Sequence, residues 1–168
     1  SELRENNKQL NQRLWSAESK ILDMEQYTRM SNLEVRGVPV TSDEDVYTIL
    51  QSVANALQVP FNNEDISTAH RLQAPKNRNF HASIVVQFAR RSVRASWLTA
   101  AKKKKLQTTD LHSSLKPAPV FVVEHLSPHN RELLQEAKAM VRENKLAYAW
   151  CSNGKILVRK SENSRAVR

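Results

Sequence analysis

The first thirty residues contain neither proline nor glycine, and their apolar side chains return at alternating intervals of four and three. One heptad row holds Asn7, Leu14, Ile21 and Thr28; the other holds Leu3, Leu10, Ala17 and Met24. Two such rows form the narrow seam of a coiled coil, not the wider stripe of a helix lying on its own domain. With the first row at a and the second at d, Arg13 faces Glu18 of a neighbouring chain and Lys20 faces Glu25. Opposite charges at those flanking positions favour a parallel, in-register assembly.

Strand number is less tightly specified. Asn7 at an a position suits dimers, where two amides can pair. Arg13-Leu14-Trp15-Ser16-Ala17-Glu18 instead follows the Arg-apolar-x-x-apolar-Glu pattern of parallel trimers. The expectation is a homotrimer, with a homodimer second, held by Leu3, Asn7, Leu10, Arg13, Leu14, Ala17, Glu18, Ile21 and Met24. About four heptads are marginal alone, so the seam is expected to continue upstream. The competing reading is a single helix packed on its own domain.

Composition removes several function classes. The chain has 168 residues and two glycines, too few for a Gly-rich phosphate loop or a dinucleotide fingerprint. One cysteine, Cys151, excludes a disulfide framework and any zinc site built from several thiolates. No apolar run is long enough to span a bilayer, and the first residues lack a signal-peptide pattern. The expected setting is therefore a reducing compartment, the cytoplasm and also the nucleus, with no membrane partner.

Charge is strongly asymmetric. Residues 1–32 carry five basic and five acidic side chains, and residues 33–89 carry four and six. Residues 90–168 carry seventeen basic and six acidic, a net +11 within a chain of net +9. Such an excess repels itself unless an anion compensates it, and nucleic acid is the commonest polyanion.

Behind the helix, periodicity points to two small α/β units. Leu33 and Val35 alternate with Glu34 and Arg36 as a strand that Gly37-Val38-Pro39 ends. Ser42-Asp43-Glu44-Asp45 reads as a cap with acidic first-turn residues, opening a helix through Leu57. Residues 66–72 and 81–88 read as strands, residues 90–105 as a helix, and a short strand near Leu106 closes the series. The resulting β-α-β-β-α-β order is that of the ferredoxin-like, RNA-recognition-motif class. Residues 115–119, Leu-Lys-Pro-Ala-Pro, read as a hinge. A strand over residues 119–123, a helix capped by Ser127-Pro128, and two strands joined at Asn153-Gly154 then give β-α-β-β. The expected fold is α+β: a coiled coil over 1–31, a ferredoxin-like domain over 32–114 and a small basic domain over 115–168.

Several of these segments carry a resemblance. Arg29-Met30-Ser31-Asn32-Leu33-Glu34-Val35-Arg36-Gly37-Val38-Pro39, placed behind a coiled coil, is similar to the entry into the RNA-recognition domain of first-open-reading-frame proteins of non-LTR retrotransposons. Ala69-His70-Arg71-Leu72 and the strand and helix after it continue the likeness. The run from Trp-Cys-Ser-Asn-Gly-Lys at 150–155 to Arg165 resembles the baculovirus few-polyhedra protein family, and insect retroelement proteins carry such a domain. The resemblance implies an oligomeric protein that packages RNA and chaperones strand exchange, without enzymatic activity.

The chain departs from the family pattern where bases usually stack. The outward position of the first strand is Glu34, and the third strand offers Ser83 and Val85, with Phe88 on the core side. Backbone electrostatics must then carry more of the affinity, which predicts weak sequence preference. The candidate contacts are Arg36, Arg71, Lys76, Arg78, Arg90, Arg91, Arg94, Lys102, Lys103, Lys104, Lys105, Lys155, Arg159, Lys160 and Arg165. For Arg71 a phosphate contact and a structural ion pair stand equal. Trp97 is expected in the core. Trp150, with Tyr148 on the same strand parity, is expected to pack rather than to stack on bases.

No catalytic residue, metal or cofactor is expected. His125 and His129 lack a third ligand, and no serine sits in a nucleophile elbow. The leading expectation is a non-sequence-specific binder of single-stranded RNA or DNA. Its rival is a coiled-coil scaffold in a viral or cellular assembly. Loss of binding in high salt favours the binder; salt tolerance favours the scaffold.

Overall fold

A computed structural model of the chain describes residues 1–73 and 81–168. The candidate contacts Lys76 and Arg78 lie outside the described residues. The chain forms two compact units, one of Ser1–Met30 with Leu126–Arg168 and one of Ser31–His125.

The long helix α1 (Glu2–Tyr27) opens the first unit, with the Ser1 hydroxyl accepting from the Arg4 N–H. The second unit then contains β1 (Asn32–Arg36), α2 (Val46–Leu57), β2 (Ile66–Arg71), β3 (Ile84–Phe88), α3 (Arg91–Lys103), the single turn α4 (Thr108–Leu111) and β4 (Phe121–Glu124). Its four strands lie in the order β2-β3-β1-β4, every neighbouring pair antiparallel. That is the ferredoxin-like arrangement, so the expected α+β class and order hold.

The strand that closes the sheet is not the expected one. Near Leu106 there is only an isolated bridge between Gln107 and Pro119. The chain then makes α4, and β4 pairs with β1 in the register Val35↔Val122 and Leu33↔Glu124. The strand anticipated at the front of the C-terminal domain thus completes the first sheet. The expected hinge at residues 115–119 is tied down within this unit: the Thr108 hydroxyl donates to the Lys116 carbonyl and accepts from the Ala118 N–H. The physical reason lies in parity: Val120 and Val122 are buried and alternate with exposed Phe121, as one face over a core demands.

Register also sets the core. Leu33, Val35, Ile84, Val86, Phe88 and Val122 join Leu50, Val53 and Leu57 of α2 and Trp97 of α3 in one buried cluster. Trp97 is core as expected, at 2% exposure, with Phe88 edge-on and ring centroids 5.3 Å apart. Gly37, at φ +93°, closes β1 where a Cβ would collide with the Pro119 carbonyl oxygen. The N-cap of α2 is Asp45, whose carboxylate accepts from the Tyr47 N–H at 3.0 Å. Asp43 and Glu44 therefore precede the helix rather than occupying its first turn.

The first unit resumes with α5 (Pro128–Arg142), β5 (Tyr148–Ser152) and β6 (Lys155–Arg159). Ser127 caps α5, its hydroxyl accepting from the Asn130 N–H, with Pro128 at the first helical position. Asn153 and Gly154, both at positive φ, make the tight turn between β5 and β6. The core is small: buried Leu126, Ala137 and Ile156, with Leu134, Ala149, Cys151 and Val158 packed on them. The last turn of α1 is part of this unit. Buried Gln26 accepts at Oε1 from the Ser127 N–H (2.7 Å) and the Asn130 amide (3.1 Å), and that amide also donates to the Gly154 carbonyl. A Cβ on Gly154 would lie 2.8 Å from the Met30 sulfur, so glycine serves both the turn and this close approach.

Candidate nucleic-acid interface

In the second unit, several arginines proposed to meet phosphate are committed to the protein itself. Arg71 donates from Nε to Glu44 at 2.6 Å and from its terminal nitrogens to Glu44 and the Val38, Pro39 and Ala82 carbonyls. This fork pins the β1–α2 loop, so the structure places Arg71 in an ion pair rather than on a free surface. The Arg71 hydrogen bond holds the Glu44 carboxyl below its ordinary value; burial opposes this, while the Arg71 charge and the Thr41 N–H add to it. Arg94 is buried, donating to the Asn32 carbonyl at 3.0 Å and to Glu124 at 3.2 Å. It too is a structural cation.

Other candidates are partly engaged. Arg90 donates to Asp65 at 2.6 Å while most of its side chain stays exposed, and Arg36 pairs with the buried Glu34. Lys104 reaches the Ala56 carbonyl at 2.8 Å. Arg91 at the start of α3 and Lys102, Lys103 and Lys105 at its end are exposed, with no ion pair among the described residues. Lysines there suit the negative end of the helix dipole.

The face of the two central strands turned away from the hydrophobic cluster bears Glu34, Arg36, Val85 and Gln87, in the registers Glu34↔Val85 and Asn32↔Gln87. Glu34 and Val85 are buried there, so the outward position expected of Glu34 is not a free surface. No aromatic side chain stands at these positions, as the sequence indicated. His70, opposite Val85, shares that face.

The first unit presents its charge differently. Residues 126–168 hold nine basic and four acidic side chains. Lys155, Arg159, Lys160 and Arg165 are all exposed and make no ion pair among the described residues. The hairpin register fixes what accompanies them. Ala149↔Val158 and Cys151↔Ile156 face the small core, so Tyr148, Trp150 and Ser152 stand on the opposite face with Arg159, Leu157 and Lys155. The Arg159 guanidinium lies 5.7 Å from the Trp150 ring centroid. Alternation puts both rings on the face away from the small core; Tyr148 is exposed, whereas Trp150 stays half-buried. That signal was legible in the sequence and would have found this pair.

Along α1, Leu3, Leu10, Leu14, Ile21 and Met24 of the heptad seam are each more than half exposed. Gln26, the residue buried in the C-terminal unit, belongs to neither seam row. No group of three His, Cys, Asp or Glu suited to a metal ion occurs among the described residues. His125 pairs with the Asn32 amide at 3.0 Å instead.

Residues 30–122 match the family model described as Baculovirus FP protein domain 1, and residues 127–168 match that described as Baculovirus FP protein domain 2. The retrotransposon resemblance gains no support from these matches. No curated protein matches the chain significantly.

Proposed function

The chain belongs to the baculovirus FP (few polyhedra) protein family, and from that premise we propose that it is an oligomeric, largely non-sequence-specific binder of single-stranded nucleic acid, RNA first. The observation that carries the reading is the set of unpaired exposed cations at Lys155, Arg159, Lys160 and Arg165, joined by Lys102, Lys103 and Lys105. Phosphate contacts from such side chains give affinity without base information. The reading is non-enzymatic. Copies of the chain associate through the exposed seam, with Arg13 against Glu18 and Lys20 against Glu25, as a trimer ahead of a dimer. Tethered basic units then suit packaging of a transcript and exchange of its strands.

The exposed seam and the family favour a second reading, a scaffold for viral assembly. Titrating a fluorescent single-stranded oligouridine with the protein at several salt concentrations separates the two. The binder loses affinity linearly in log–log form, by about 0.7 in slope per phosphate contact. Absence of binding, or binding indifferent to salt, leaves the scaffold.

A further inference from the structure

The C-terminal hairpin joins two features that the four-stranded sheet does not combine, an outward aromatic pair and unpaired cations. We propose that the outer face of β5–β6 is a base-stacking platform for single-stranded nucleic acid, with Tyr148 and Trp150 receiving successive bases and Lys155 and Arg159 receiving the phosphates between them. This rests on the nucleic-acid reading above and adds to it where the bases go.

The geometry suits the ligand. Tyr148 and Trp150 are two residues apart on one strand, a repeat of about 6.8 Å, close to the spacing of nucleotides splayed along an extended strand. Tyr148 is 46% exposed. Directly across the hairpin stand Arg159, beside Tyr148, and Leu157, beside Trp150, with Lys155 beside Ser152. The Arg159 guanidinium near the Trp150 ring polarises one indole face and brings a cation within reach of a phosphate. Stacking on aromatic rings tolerates any base, which agrees with a binder that lacks sequence preference.

One carboxylate opposes the arrangement. Glu162 accepts from the Tyr148 hydroxyl at 3.4 Å, which orients the phenol but puts a negative charge at that end. Phosphates are therefore expected first toward Lys155 at the other end of the hairpin, with Arg159 offsetting the Glu162 charge beside Tyr148. Ionic attraction alone would also collect phosphates here, but it has no use for an aromatic pair turned away from the core.

The test compares binding of the full chain to a short oligonucleotide and to an abasic strand of the same length, which keeps the phosphates and removes the bases. RNA and DNA versions of the oligonucleotide distinguish the two sources of bases. The wild-type protein is expected to bind the base-bearing strands at least about tenfold more tightly than the abasic strand. Trp150→Leu and, separately, Tyr148→Ser should shrink that ratio toward one while leaving the salt slope unchanged. Tyr148→Ser covers the case in which the tryptophan variant fails to fold, because the tyrosine is surface-exposed. Equal affinity of the wild type for base-bearing and abasic strands overturns the platform and leaves the electrostatic binder standing. No affinity for either strand overturns the nucleic-acid reading itself.

Discussion

The ion-paired arginines of one unit and the cations of the other unit's hairpin and tail are used in opposite ways, although the unit of the paired arginines also exposes Arg91, Lys102, Lys103 and Lys105. Ser31–His125 holds one cluster of fifteen buried apolar side chains among its described residues, and its Arg71 and Arg94 hold the loop after β1 and the edge strand β4. The C-terminal part of the other unit has three buried apolar side chains, and its Lys155, Arg159, Lys160 and Arg165 are turned to solvent. A count of charges treats these cations alike. What separates them is whether a carboxylate or carbonyl lies within reach once the strands are in register.

Breaking the seam should have the largest effect. Leu10→Asp with Leu14→Asp puts charges into the coil and leaves Gln26 and the C-terminal unit intact. Affinity for strands long enough to bridge protomers should fall by about 10²- to 10⁴-fold, because contacts after the first are no longer intramolecular. Strands that reach one protomer should show little change. Sedimentation at tens of micromolar, roughly the range for a short coil, should change from oligomer to monomer. An oligomer that persists would place the assembly elsewhere.

The contrast between the units sharpens with Arg94→Ala. Removing a buried partner leaves Glu124 charged in the interior, and breaking such a pair costs about 3–5 kcal/mol. Urea unfolding should shift accordingly, while the protein that remains folded binds nucleic acid as before. A lost affinity without lost stability would make Arg94 a contact residue after all.

A smaller effect is expected from Gln26→Leu. It strands the Ser127 N–H and removes one of the two acceptors of the Asn130 amide, which keeps the Gly154 carbonyl. An unsatisfied buried donor costs about 1–3 kcal/mol. The loss should appear in hydrogen exchange at the start of α5 and the β5–β6 turn, and not in β1 or β3.

Acid should act mildly and through one loop. Glu44 has its pKa lowered by Arg71, so the stability this pair contributes is complete above the ordinary carboxylate value of 4.5 and fades as pH falls through the lower folded value. Urea unfolding followed from pH 6 to pH 3 should therefore weaken more steeply in the wild type than in Glu44→Gln. Identical slopes would mean that the Arg71–Glu44 pair holds nothing in solution.

Much of this architecture is legible in local pattern. The α2 and α5 faces, the Ser127-Pro128 start and the Asn153-Gly154 turn each rest on a few adjacent residues, and the structure has all of them. Non-local pairing is what escapes such reading. Leu33 meets Glu124 across most of the second unit, so which strand closes the sheet depends on a partner far away in the chain. The Arg71 fork joins Val38 and Glu44 of the β1–α2 loop to Ala82 just before β3, which no spacing rule anticipates. At the candidate interface the basic residues were visible as a group, but sorting structural from free cations required the register. Tyr148 and Trp150 were readable, because alternation alone puts them opposite Ala149 and Cys151.

The most direct measurement is the salt dependence of single-stranded RNA binding by a variant with Lys155, Arg159, Lys160 and Arg165 all changed to Gln. Four lost phosphate contacts should flatten the log–log slope by about 2.8, at roughly 0.7 per contact, and weaken binding to all sequences alike. Wild-type affinity and slope in that variant would contradict the assignment of the interface to the C-terminal unit.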